Sequence, residues 1–119
     1  MNVAEFLQRQ AHQQPNAIAI AEPIKGRWRN RSLPLEKRYR CLTFQELDEF
    51  SSRLAAGLHT LEIEQGARLA LMIPPSCEFI SWVFALFKAG MITVLIDPGM
   101  GRKNIIDSLQ RVETEGFIG

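Results

Sequence analysis

SCEFISWVFALFKAGMITVLIDPGMGRK, residues 76–103, holds the longest apolar run of the chain and its most distinctive turn. It reads as a helix, a glycine stop, a buried strand, a glycine turn and the start of a second helix. Its apolar part from Phe79 to Ile96 has about the length that spans a bilayer, but Lys88 interrupts it and Ala89-Gly90 follows as a stop signal. A membrane span is therefore rejected. Beyond Gly90, Met91-Ile92-Thr93-Val94-Leu95-Ile96 is largely β-branched with no polar alternation, the pattern of a parallel strand covered on both faces. The stretch is thus a helix feeding a central strand.

Outward from it the same alternation continues. Ser76 is a plausible N-cap after Pro74-Pro75, and before them ARLALMI, residues 67–73, reads as a second buried strand. Upstream, Thr43-Phe44-Gln45-Glu46 has the reciprocal capping-box spacing, which starts a long helix at Phe44 with Leu47, Phe50, Leu54, Leu58 and Leu61 on one face. Downstream, Lys103 to about Val112 makes an amphipathic helix, and Gly116-Phe117-Ile118-Gly119 looks like a strand that has only begun. At the other end, Asn2 can cap a first helix with Val3, Phe6, Leu7 and Ala11 on one face, and Ala17–Ala21 is a short strand that the Tyr39–Leu42 strand can join. The expected class is α/β: a mainly parallel sheet from Ala67–Met72, Met91–Ile96 and the Phe117 segment, with helices on both faces and a short N-terminal antiparallel pair.

Composition sets bounds on function. With 119 residues, 46% of them apolar and 23% charged, the chain can bury a real core. Its formal net charge of +1 gives no general attraction to nucleic acid, which is not expected as a partner. The opening MNVAEFLQRQ lacks a basic region followed by an apolar one, so cytoplasm is the expected compartment. Cys41 and Cys77, with only His12 and His59 beside them, give a metal almost no ligand set, and two buried free thiols are expected. Charge is nevertheless unevenly spread. Residues 25–40 crowd Lys25, Arg27, Arg29, Arg31, Lys37, Arg38 and Arg40 against the single carboxylate of Glu36, which reads as an exposed basic loop insertion. Trp28 and Tyr39 within it would be the stacking groups of a nucleic-acid reading, against which the neutral total charge stands.

Ligands of such sheets bind beyond the carboxyl ends of the strands, so the turns after Ile73 and Ile96 are the places for a site. The second turn offers an anion-binding candidate: Gly99 and Gly101 for backbone approach, Arg102 and Lys103 for charge, all at a helix start. It matches neither the P-loop nor the dinucleotide fingerprint, and Asp97 is read as a turn-forming residue bonding nearby amides. His12 and His59 lack carboxylate or serine partners and read as helix-end residues. No catalytic residue and no metal site follow from the residues themselves, so a stand-alone binding module using the basic loop or the GMGRK turn for an anionic partner stays open.

A resemblance goes further. Leu42-Thr43-Phe44-Gln45-Glu46-Leu47-Asp48 resembles the LTYxELD start, Phe87-Lys88-Ala89-Gly90 through Ile96-Asp97 the KAGxxxVPID segment, and ARLALMIPPS the VALxxPNS strand and turn of the adenylate-forming (AMP-dependent) synthetases and ligases. The three lie in the expected order over essentially the whole chain. Leu95 stands where proline is usual, and IDPGMGRKN is similar to the branch of fatty acyl-CoA ligases and olefin-biosynthesis β-lactone synthetases. The resemblance implies that residues 1–119 are an N-terminal fragment of an AMP-binding synthetase domain, cut off at its C-terminus. It implies a parent enzyme that uses ATP and magnesium to turn a fatty acid or other carboxylate into an acyl-adenylate, followed by transfer to coenzyme A or ring closure. The family's phosphate loop, ribose-binding aspartate and C-terminal lysine have no matching positions here, so the fragment by itself is expected to be inactive and to bind no cofactor. Its partners would be the remainder of the enzyme or, through its apolar surface, a second copy.

Overall fold

A computed structural model describes residues 3–119, which divide into two compact units with the boundary between Phe50 and Ser51. The expected Asn2 cap lies outside the described residues. In the first unit, α1 (Val3–Gln13) ends before Pro15 and is followed by β1 (Ile18–Pro23), a helical turn α2 (Leu35–Arg38) and β2 (Tyr39–Thr43). Strands β1 and β2 pair antiparallel from Ile18 opposite Thr43 to Pro23 opposite Tyr39, with a bulge between Ile18 and Ile20. The antiparallel pair is therefore as the sequence reads. Helix α1 differs in detail: its buried stripe is Ala4, Leu7 and Ala11, whereas Val3 and Phe6 are half exposed. Positions 4, 7 and 11 fall on one line of a 3.6-residue helix, and 3 and 6 fall beside it.

Helix α3 (Phe44–Thr60) begins in the first unit and ends in the second. Its start is the capping box: the Glu46 amide donates to Thr43 Oγ1 at 3.1 Å and the Thr43 amide donates to Glu46 Oε1 at 3.0 Å. Leu47 and Leu58 are buried and Leu54 half-buried, but Phe50 is exposed and Leu61 lies past the last turn.

The second unit continues with β3 (Arg68–Leu71), α4 (Cys77–Lys88), β4 (Ile92–Leu95), a 3₁₀ turn (Pro98–Met100), α5 (Arg102–Val112) and β5 (Gly116–Ile118). The strands form a parallel sheet in the order β4-β3-β5, with Ala70 opposite both Val94 and Phe117. Alternating helices and parallel strands are thus present as expected, with one correction. The central strand is β3, whose Leu69, Ala70 and Leu71 are buried, while β4 pairs on one side only and leaves Ile92 50% and Leu95 63% exposed. An all-apolar strand signals cover on both faces, but centrality depends on a second neighbouring strand that no local pattern encodes.

The core of this unit gathers Ala55 and Leu58 of α3, Leu69 of β3, Ala85 and Leu86 of α4, and Met91 ahead of β4. Helix α4 buries Cys77, Ser81, Ala85 and Leu86 fully and half-buries Phe79, Ile80, Trp82, Val83, Phe84 and Phe87, in keeping with its apolar circumference. Ser81 Oγ, deep inside, donates to the Cys77 carbonyl at 2.7 Å, so its hydroxyl is satisfied without leaving the helix. Cys77 is buried as expected; Cys41 in β2 is only half-buried, and both are free thiols.

Candidate functional site

The carboxyl ends of β3 and β4 lie side by side, because Leu71 pairs with Leu95 and the Ile96 amide donates to the Leu71 carbonyl at 3.1 Å. Two turns leave from that level. The first runs through Pro74 and Pro75 to Ser76, whose Oγ accepts from the Phe79 amide at 3.1 Å and donates to the Pro74 carbonyl at 2.9 Å. Its hydroxyl proton and one lone pair are engaged, and the N-terminus of α4 carries its own cap.

The second turn carries the predicted residues. Asp97 Oδ1 accepts from the Gly99 amide at 2.8 Å, and the Asp97 carbonyl accepts from the Met100 amide at 3.2 Å. Asp97 is thus the turn former that the sequence suggests, and it occupies one of the two glycine amides proposed for an anion. Gly101 follows at φ +92°, a backbone only glycine adopts easily, and α5 starts at Arg102 with no side-chain cap. The Ile105 amide is the first to reach back to the Gly101 carbonyl, so the helix's opening amides project from the turn beside the exposed Arg102 and Lys103. Neither cation has a carboxylate partner among the described residues. Asn104 turns away, its Nδ2 donating to the Met100 carbonyl at 2.8 Å. The four predicted residues therefore share one turn, but Gly99 points its donor at Asp97.

A cleft lies at the other end of the sheet. About 510 Å³ in volume, it runs along the unpaired edge of β5 and the turn before β3, between Leu58, Leu61, Leu69 and Phe117. Glu62, Glu64 and Glu115 on its rim repel an anionic substrate, and the Glu115 carboxylate is already engaged by the Arg68 amide. No sequence signal marks this cleft, since its walls come from segments joined only when β5 settles beside β3. Among the described residues no three His, Cys, Asp or Glu side chains converge on a common point. His12 and His59 sit in the last turns of their helices, His12 Nδ1 lying 3.1 Å from the Gln8 carbonyl.

A model of the AMP-binding enzyme family matches residues 7–118. The olefin β-lactone synthetase of Xanthomonas campestris is 39% identical over 99% of this chain, and that of Stenotrophomonas maltophilia 38% identical over 99%. The chain covers 20% and 21% of those two proteins, so it spans about a fifth of the length of the relatives it matches. Among solved structures, the N-terminal subdomain of Klebsiella oxytoca NpsA, in complex with anthranilyl-AMSN, superposes with a TM-score of 0.80 at 22% identity, over 99% of this chain and 27% of that one. That likeness concerns the fold.

Proposed function

The chain belongs to the AMP-binding enzyme family, and from that premise we propose that it is the N-terminal structural part of an ATP-dependent ligase that activates a carboxylate as its adenylate. The substrate class we assign is a fatty acid or a related long carboxylate, on the branch shared with olefin β-lactone synthetases. The observation that carries this reading is the match of 39% and 38% over 99% of the chain to two such synthetases. A salicyl-AMP ligase from Mycobacterium tuberculosis is 45% identical but over only 49% of the chain, which favours the lactone synthetase branch. Magnesium, ATP and, for one of the two possible second steps, coenzyme A would be bound by the remainder of the enzyme. Adenylate formation depends on charge positioned around the triphosphate before reaction, and the open turn at Gly101–Lys103 is a small part of such a set.

The test is carboxylate-dependent exchange of labelled pyrophosphate into ATP, run in parallel on the 119-residue chain and on the complete reading frame that contains it. Exchange by the longer protein with fatty acids, and none by the chain, is the expected result. Robust exchange by the chain, abolished by Lys103→Ala, would make the GMGRK turn an active site and overturn the reading. Exchange by the longer protein with aryl acids only would overturn the substrate class.

A further inference from the structure

Seven of the chain's 14 Lys and Arg lie in residues 25–40, against one of its 13 carboxylates, so the segment carries a charge of +6 and the remaining residues −5. The structure shows this to be a built surface rather than a slack loop. The Ile24 amide donates to the Arg38 carbonyl at 2.9 Å and closes the β1–β2 connection at its base. Inside it, successive turns are fixed by the amides of Arg27 and Trp28 on the Ile24 carbonyl, of Asn30 on the Arg27 carbonyl and of Leu33 on the Asn30 carbonyl. Asn30 Oδ1 also accepts from the Ser32 amide at 3.1 Å, and α2 completes the connection. The backbone is therefore ordered in advance, which lowers the entropy a partner must offset.

The side chains point to the partner's chemistry. Lys25, Arg27, Arg29, Arg31 and Lys37 are exposed and make no ion pair among the described residues. Like charges held this close are unfavourable alone and are relieved by a dense anionic surface. Trp28 stands among them, 40% exposed, with the Arg29 guanidinium 4.3 Å from its ring centroid. An exposed indole stacked with one guanidinium, in a segment rich in cations, suits the headgroup layer of a bilayer, where the ring sits at the apolar boundary and the cations meet phosphates. Two residues of the same connection, Leu35 and Glu36, also wall a largely apolar groove of about 380 Å³ with Ile18, Ala21, Tyr39 and Cys41 of the two strands. A single-stranded nucleic acid would be expected to meet several exposed aromatic rings in succession, and here Trp28 is alone, Tyr39 being half-buried. None of the described helices is long and apolar enough to cross a membrane, so the contact is with a surface.

We infer that the connection Lys25–Lys37 docks the protein on an anionic phospholipid surface, with Trp28 as the interfacial anchor. This is independent of the ligase assignment, since it concerns only the β1–β2 connection.

The probe is co-sedimentation of the 119-residue chain with vesicles of phosphatidylcholine, alone or mixed with phosphatidylglycerol. Binding is expected to the mixed vesicles only and to weaken as salt rises. The triple variant R27Q/R29Q/R31Q should lower vesicle affinity on the order of a hundredfold, a factor of about five for each cation. All three positions are exposed, and circular dichroism checks that the fold persists. Brominated lipid should quench emission in the native protein and leave the Trp28→Phe variant, in which Trp82 still emits, unquenched. Equal binding to neutral vesicles, or binding unchanged by the triple variant, would overturn the inference. So would tighter retention on a single-stranded oligonucleotide than on the vesicles, which would assign the patch to nucleic acid.

Discussion

Replacing Gly90 by alanine tests why the Lys88-Ala89-Gly90 triplet stands where helix gives way to strand. Gly90 lies at φ +73°, its amide donates to the Phe87 carbonyl at 3.2 Å, and the next amide, of Met91, donates to the Leu86 carbonyl at 2.9 Å. These are the two reversed bonds of a Schellman cap, and its usual apolar contact is available because Leu86 and Met91 belong to one buried cluster. The Gly90 carbonyl also accepts from the Gly66 amide at 2.8 Å, tying the turn before β4 to the turn before β3. An L-side chain in this left-handed backbone costs about 1–2 kcal/mol. The new Cβ would also come within 2.8 Å of Gln65 Cγ, but Gln65 is exposed and can swing aside, so the backbone dominates. With a denaturant slope of about 2 kcal/mol per molar urea, the midpoint should fall by about 0.5–1 M. Gly90→Asn should recover part of the loss, because asparagine tolerates this conformation. Two results would refute the reasoning: a penalty under about 0.5 kcal/mol, the range of neutral surface changes, or one that disappears in a Gln65→Ala background.

Three further outcomes can be checked. Thr43→Ala should destabilise by about 1 kcal/mol in urea melts, because it removes the hydroxyl that receives the Glu46 amide; Thr43→Ser should be nearly silent. Leu86→Ala, in a fully buried position, should cost about 2–5 kcal/mol, and a smaller loss would mean that the α4 core collapses around the gap. Asp97→Ala should cost about 1 kcal/mol, and by freeing the Gly99 amide it should strengthen phosphate binding at the turn as followed by the Gly99 and Gly101 amide shifts; unchanged shifts would rule the turn out as an anion site.

What could be read in advance was what neighbours in sequence decide. The Thr43–Glu46 box, the Ser76 cap, the Asp97 turn and the glycine stop at 90 are closed within five residues at most, so each is legible as a pattern and each has its hydrogen bonds. Parallel pairing was legible from apolar runs separated by helices. The rank of a strand within its sheet was not, since β4 and β3 have equally apolar sequences and differ only in how many neighbours they find. The basic segment reads as a loop up to the strand that starts at Tyr39, and β2 does start there, but Leu35–Arg38 form a helical turn ahead of it. Pro34 at the start of that turn supplies a fixed φ of −59°, a signal outweighed in the sequence by the surrounding breakers and charges. For the candidate site, the sequence located Gly99, Gly101, Arg102 and Lys103 on one strand-to-helix turn but could not reveal that Asp97 takes the Gly99 amide.

The mismatch between sequence and exposure in β4 and β5 leads to a last expectation. Ile92 and Leu95 on one outer strand and Phe117 on the other are 50%, 63% and 63% exposed, and each strand has one edge without a partner in the sheet. Edges of this kind in soluble proteins are usually blunted by charge, proline or a bulge, none of which occurs within Ile92–Leu95 or Gly116–Ile118. An open, apolar, uncharged edge pairs with whatever strand is offered, and at high concentration in isolation that is the same edge of another copy. Sedimentation of the 119-residue chain should therefore show a weight-average mass that rises with concentration, and Leu95→Lys with Phe117→Lys should return it to that of one chain. A single species of 13.5 kDa across the whole range, with these residues unaltered, would show that the edges are inert and that their apolar character serves the interior of this unit alone.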